Sequence, residues 1–243
     1  MSVLELIGIA SAMAIAAFVQ SISGFGLALL SVPLMSLFDD VRLSVVVVNL
    51  IGLVTTSAQA WKEREHADAP LAIRVTVAAI IGMPLGLVAF LFMSETYLKV
   101  GLGIVVLFVT LLLMRGFTLR STTRTADWLL GGASGALSTS VGTNGPPLVF
   151  LFQARQMPQE IFRATISRVF ILSNIVTVII FASAGKITVD SIVAAAVSLP
   201  VLVIAISAGF WTRRFVNQQR FRILVLTLLV ISGLSTIVSA IFS

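Results

Sequence analysis

Long apolar runs recur from one end of this chain to the other, and they constrain it more than any motif does. Val3–Gln20, Leu43–Ala60, Leu71–Met93, Leu98–Met114, Phe162–Ala184, Val189–Trp211 and Phe221–Phe242 carry almost no charge. About 20 consecutive apolar residues cross the hydrocarbon core of a bilayer as a helix. Inside lipid every backbone polar group must be satisfied within the protein, which leaves only helices and closed barrels. Runs of this length fit helices. Composition agrees, with 58% of the 243 residues hydrophobic and only 11% charged, against about a quarter charged in an ordinary soluble domain. Mean hydropathy is +1.10. Such a chain has too little polar surface to cover a soluble globule. The fold class expected is an all-α polytopic membrane protein, which excludes a soluble enzyme, a disordered chain and a nucleic-acid binder. The formal charge of +6 is dispersed in short loops between apolar runs, where Lys and Arg set membrane orientation. With no cysteine, disulfides, thiolate nucleophiles and Cys-ligated metals are excluded. Met1–Gln20 lacks a basic leading region and a cleavage site, so it reads as a membrane segment rather than a leader.

Two runs are interrupted. Val3–Gln20 and Phe25–Phe38 are joined by Ser21-Ile22-Ser23-Gly24, and Trp128–Ser140 and Pro146–Phe152 flank Val141-Gly142-Thr143-Asn144-Gly145. The second arm of each pair is too short for a full crossing. Each pair reads as a re-entrant helix hairpin whose polar tip is buried in protein or lines a wet cavity. With both ends of each hairpin on one side, Lys62, Arg64, Arg74, Arg115, Arg120, Arg124, Arg155, Arg163, Arg213, Arg214, Arg220 and Arg222 share one face of the membrane. The other face holds Arg42, Lys99 and Lys186. The positive-inside bias makes the first face cytoplasmic and places both termini outside, in a multi-pass protein of the cell (inner) membrane.

Element order repeats as hairpin, span, span, span, twice. The expected division is a first membrane repeat at 1–115, a cytoplasmic linker at 116–126 and a second repeat at 127–243. Gly24-Phe25-Gly26 answers Gly142-Thr143-Asn144, and Pro84 answers Pro200. Three full spans per unit invert the second unit, giving two inverted repeats. That plan is typical of secondary transporters, whose substrate sites form where interrupted helices from both halves meet. Glycine in these segments could instead serve tight helix packing. The interruption occurs twice in register and carries Asn, Ser and Thr, which favours a site.

The first tip offers Gln20, Ser21, Ser23, Gly24 and Gly26; the second offers Ser138, Ser140, Gly142, Thr143, Asn144 and Gly145. A helix starting after each break would aim unpaired N–H groups and a partial positive charge into the cavity, a natural oxyanion site. Pro146 and Pro147 suit the first turn of such a helix. Arg168 lies inside Phe162–Ala184, where a charge is costly and commonly functional, although its side chain could also snorkel to the nearby cytoplasmic edge. Asn49, its counterpart in the first half, is either a ligand or interhelical glue. The expected substrate-binding set is Ser23, Gly24, Gly26, Asn49, Ser140, Gly142, Thr143, Asn144, Gly145 and Arg168. Asn174 and Gln59 read as packing residues. His66, the only histidine, falls in a charged loop. Every Asp and Glu, Asp127 among them, falls at or near a helix end, so the buried carboxylate of a cation or proton pump is missing. No cofactor or metal is expected.

Ser23-Gly24-Phe25-Gly26-Leu27-Ala28, running on to Val32-Pro33-Leu34, and the stretch Gly131–Leu148 ending in Gly142-Thr143-Asn144-Gly145-Pro146-Pro147-Leu148 resemble the paired Gly-rich, Pro-containing segments of the sulfite exporter family TauE/SafE. The resemblance covers essentially the whole chain. It departs at Leu27-Ala28, and at Asn144 and Pro146, where that family often has Gly. It implies transport of small sulfur-containing or carboxylate anions such as sulfite, sulfoacetate or related organosulfonates. The expected partners are then a small anionic solute, the lipid bilayer and, as an open arrangement, a second copy in a homodimer. The competing class is an intramembrane enzyme acting on a phosphate or pyrophosphate lipid, because Ser167-Arg168 resembles a Ser-Arg phosphate site. That chemistry needs a buried carboxylate as base or metal ligand, and none is expected. A channel is the third reading, and it is separated from a carrier by counterflow.

Overall fold

The structure, a computed structural model, describes residues 1–23, 27–62, 64–116, 123–212, 214–215 and 217–242. The side chains of Ser23, Ala58, Gln59, Lys62, Arg64, Gln218, Arg220 and Arg222 lie outside the description. Among the described residues the chain forms ten α-helices: α1 (Val3–Ser23), α2 (Leu27–Met35), α3 (Val41–Lys62), α4 (Ala69–Phe92), α5 (Glu95–Met114), α6 (Arg124–Val141), α7 (Gly145–Ala154), α8 (Gln159–Ser183), α9 (Val189–Thr212) and α10 (Gln218–Phe242). Six of them, α1, α4, α5, α8, α9 and α10, contain stretches long and apolar enough to cross a membrane. This is the architecture of a polytopic membrane protein. By contrast α2 has 9 residues and α7 has 10, which is about 14–15 Å of helix at 1.5 Å per residue, half a bilayer.

The chain gathers into two compact units, and each draws helices from both halves of the sequence. One comprises Met1–Val48, Met93–Gly116 and Thr188–Ser243; the other comprises Asn49–Phe92 and Phe117–Ile187.

In the first unit α1 packs along α9. The Met1 amine meets Asp190 at 3.6 Å at one end of the pair. At the other end Gly209 sits against the Phe18 carbonyl and Ser21 Oγ, so the two helices run parallel. α2 folds back along α1 and brings the Phe38 ring onto Gly8, which returns the hairpin toward the level where it began. α5 and α10 run antiparallel, with Gly103 against Gly233 and Ile237. Ile9, Met13, Leu30, Met35 and Leu102 are fully buried in this unit.

In the second unit α4 packs along α6, again in parallel. Gly131 meets Val75 and Ala78, Gly135 meets Ala79, and Gly86 meets Ala136 and Thr139. Close approach of this kind needs small residues on both helices. A core of Leu71, Val75, Leu148, Leu151, Phe152 and Val169 joins α4, α7 and α8. The Phe90 and Phe181 rings meet tilted by 44° at a centroid distance of 4.9 Å, tying α4 to α8.

Candidate substrate cradle at the break between α6 and α7

The break begins with Gly142, whose φ of 72° is left-handed. A Cβ there would be strained, so glycine is the natural residue. The N–H groups of Gly142 and Thr143 both donate to the Leu137 carbonyl, which closes α6 in the manner of a Schellman end. The chain then turns through Asn144 and starts α7 at Gly145, with Pro146 and Pro147 in the first turn. Both prolines are buried.

The prolines change the chemistry expected of this helix start. The first turn of a helix normally offers several unpaired N–H groups. Pro146 and Pro147 have none. Backbone donors at the break reduce to the N–H groups of Asn144 and Gly145, neither of which makes a non-helical backbone bond among the described residues. The Asn144 carboxamide makes no capping bond and is half-buried, so it stays available to a ligand. Its backbone carbonyl accepts from buried Ser134 Oγ at 2.7 Å, which fixes the turn. Thr143 is buried. Ser140 Oγ donates back to the Ala136 carbonyl at 2.7 Å, so its proton is already engaged. Gly145 faces Phe170 of α8, whose Cζ lies 3.8 Å from the place a Cβ would take.

Above the break lies a buried polar cluster. Ser138 Oγ reaches Asn49 Oδ1 at 3.4 Å and Thr177 Oγ1 at 3.3 Å, and Asn49 Nδ2 donates to the Ser138 carbonyl at 3.4 Å. These are long bonds. Thr139 Oγ1 donates to the Met83 carbonyl at 2.7 Å. Asn49 is thus joined to the helix that carries the break. Asn174 Nδ2 donates to Thr56 Oγ1 at 3.3 Å and lies over Gly52, in keeping with a packing role.

Arg168 takes a different face of α8 from the residue nearest the break. Phe170, two positions on, is the α8 residue that faces Gly145, and two positions are about 200° round a helix. Arg168 instead lies exposed beside Ser57, Ala60 and Trp61 of α3. Of the first tip, Ser23 ends α1, while Gly24 and Gly26 lie outside the described residues, as do the side chains of Ser23 and Gln59. His66 is exposed in a 3-10 turn, Arg64–His66.

The sequence reading missed one cluster. Asp127 sits in the first turn of α6, at a helix end as expected, yet it is fully buried. It accepts from Arg74 Nε at 2.7 Å and from Arg155 Nη2 at 2.6 Å. One carboxylate therefore pins α4, α6 and the end of α7 together. Asp68 caps α4 through the Leu71 N–H at 3.0 Å, and its own N–H donates to Thr165 Oγ1 at 3.0 Å. In the loop after α2, partial burial, with neighbouring Glu5 and Asp40 adding to it, pushes the Asp39 carboxyl above its ordinary value despite a bond from the Asp40 N–H and the nearby amino terminus.

The family model for sulfite exporter TauE/SafE matches residues 9–236. The chain belongs to the TauE/SafE family. Its members are transporters, so the TauE/SafE assignment sets aside the lipid-phosphate enzyme as a reading of Ser167-Arg168. The chain is also 26% identical over 219 residues to the probable sulfite/organosulfonate exporter TauE of Cupriavidus necator, a match spanning 87% of this chain and 84% of that protein. No solved structure matches it.

Proposed function

We propose that this chain is a secondary transporter that exports small sulfur-containing or organic anions, with sulfite and organosulfonates such as sulfoacetate as the first candidates, by alternating access. Family membership and the name of the Cupriavidus necator relative support the substrate class. The observation that carries the site is the break at Gly142–Gly145. There a left-handed glycine stops one helix, and the Asn144 carboxamide and the Asn144 and Gly145 N–H groups are left to receive an oxyanion. Thr143 shapes the turn, and Asn49 and Ser140 brace α6 behind it. Ser23, Gly24 and Gly26 are the corresponding substrate-binding candidates in the first half of the sequence.

The inverted-repeat reading draws support from a reciprocal exchange. α1, first helix of the first half, runs parallel to α9, the fourth of the second; α6, first of the second half, runs parallel to α4, the fourth of the first. Repeats at 1–115 and 127–243 that swap partners in this way account for both pairs. The Lys and Arg bias orients the chain with its arginine-rich loops in the cytoplasm of the inner membrane and both termini outside.

Titration of purified protein with sulfite and with sulfoacetate tests the site. Asn144→Ala is expected to weaken binding about tenfold, the loss of one hydrogen bond to a charged group, without unfolding the protein. Affinity equal to that of the parent chain in Asn144→Ala removes the cradle.

A further inference from the structure

Arg168 and its surroundings form a second feature, separate from the break. Ala164, Arg168, Ile171, Leu172 and Ile175 follow one face of α8, and Ser57, Ala60 and Trp61 of α3 form the other wall of a groove of about 390 Å³. Trp61, Leu172 and Ile175 are exposed large apolar residues, so the groove opens outward from this unit. Among the described residues Arg168 makes no ion pair. Its Cα lies about 13 Å along α8 from Gln159 at 1.5 Å per residue. α8 has 25 residues, about 37 Å against a hydrocarbon core of about 30 Å. With α8 centred in the bilayer, the Arg168 Cα falls inside the apolar layer, within snorkelling reach of the glycerol and phosphate level.

A guanidinium at that depth, above an apolar trough and beside an exposed tryptophan, matches one chemistry. The trough takes acyl chain, the cation takes a phosphodiester, and tryptophan prefers the headgroup boundary. A small free anion fits poorly, because Ser57 Oγ already donates to the Leu53 carbonyl and the remaining named walls are apolar. We propose that the groove between the end of α3 and α8 is a binding site for an anionic phospholipid, with Arg168 holding the phosphate and Leu172 and Ile175 bedding an acyl chain.

The test uses the full chain in nanodiscs with Trp128→Phe and Trp211→Phe, leaving Trp61 as the reporter among the three tryptophans. Phosphatidylglycerol brominated on its acyl chains is compared with phosphatidylcholine brominated in the same way. Trp61 should be quenched at about fivefold lower phosphatidylglycerol content, the preference one cation confers near an anionic lipid surface. Arg168→Gln should erase that preference, and Arg115→Gln, a loop cation in the other unit, should keep it. Ala60→Phe, which fills the groove and leaves the guanidinium, should reduce quenching by both lipids. Equal quenching by the two lipids in the parent protein overturns the proposal, and so does a preference that survives Arg168→Gln. Reversal of the preference by millimolar inorganic phosphate or sulfite would assign Arg168 to a free anion instead and would equally overturn it.

Discussion

The parallel pairs α4–α6 and α1–α9 have the same plan and opposite tolerances. Along α4–α6 backbone meets backbone. A Cβ on Gly135 would overlap the Ala79 carbonyl oxygen, and one on Gly82 would overlap that of Gly132. Along α1–α9 the nearest atom to a Cβ on Gly209 is Ser21 Oγ, a side-chain atom, and the nearest backbone oxygen is 2.9 Å away. Both pairs also carry an ion pair at their starting end. In α4–α6 it is Asp127, fully buried between two arginines. In α1–α9 it is Asp190, whose side chain is 55% exposed, against the amino terminus. One pairing is locked by contacts that have no slack and by a charge that water does not reach. The other rests on side chains that can rotate and on a solvated pair. Within its own unit α4–α6 is the rigid pair, and within the other unit α1–α9 is the pair with play.

The largest expected effect tests the lock. Asp127→Asn leaves Arg74 and Arg155 without their shared counter-charge, a change worth about 3–5 kcal/mol for a buried pair. Thermal unfolding in detergent should show it as the steepest loss of the set, whereas Asp190→Asn should cost under about 1 kcal/mol, as exposed pairs do. Equal losses would erase the contrast. Next come the glycines. Gly135→Ala must push two backbones apart and should lie at the upper end of the roughly 1–3 kcal/mol of overpacking; Gly209→Ala should lie at its lower end, because Ser21 can turn away. Gly142→Ala should cost about 1–2 kcal/mol, the penalty of an L residue in the left-handed region, and should also reduce anion binding by disturbing the turn.

The smallest effect depends on pH. The Asp39 carboxyl is held above its ordinary value of 3.8, chiefly by burial. Folded protein therefore keeps this proton more tightly than the unfolded chain does. Stability is full below the ordinary Asp range and declines as pH climbs from there through the raised value. Asp39→Asn removes that decline. It should melt slightly above the parent protein at neutral pH, and the two curves should converge in acid.

Much of the fold was legible because bilayer physics writes it into run length. The long apolar helices α4, α5, α8, α9 and α10 and the stop before α7 follow from apolar length and from glycine at a polar stop, whereas α1, read as a hairpin arm, is itself long enough to cross and α3, read as a span, is a shorter apolar helix. The two prolines after the break were equally visible, but their missing N–H groups leave this helix start poorer in donors than the oxyanion reading expected. The burial of Asp127 was not legible. Its partners lie 53 and 28 residues away, and periodicity carries no information on which helices pair. Arg74, charged inside an otherwise apolar span, was the signal that pointed to a hidden counter-ion. The orientation of Arg168 was illegible for a related reason. Depth in a span can be counted along the chain, but the face a side chain takes depends on which neighbour its helix meets.

Sulfite efflux from sealed proteoliposomes, with the parent chain and Asn144→Ala reconstituted side by side at matched thermal stability, addresses the cradle itself. The parent chain is expected to show saturable flux and counterflow, and the variant a loss of about tenfold in apparent affinity. Identical flux and affinity in the two proteins, or flux that does not saturate, would contradict it.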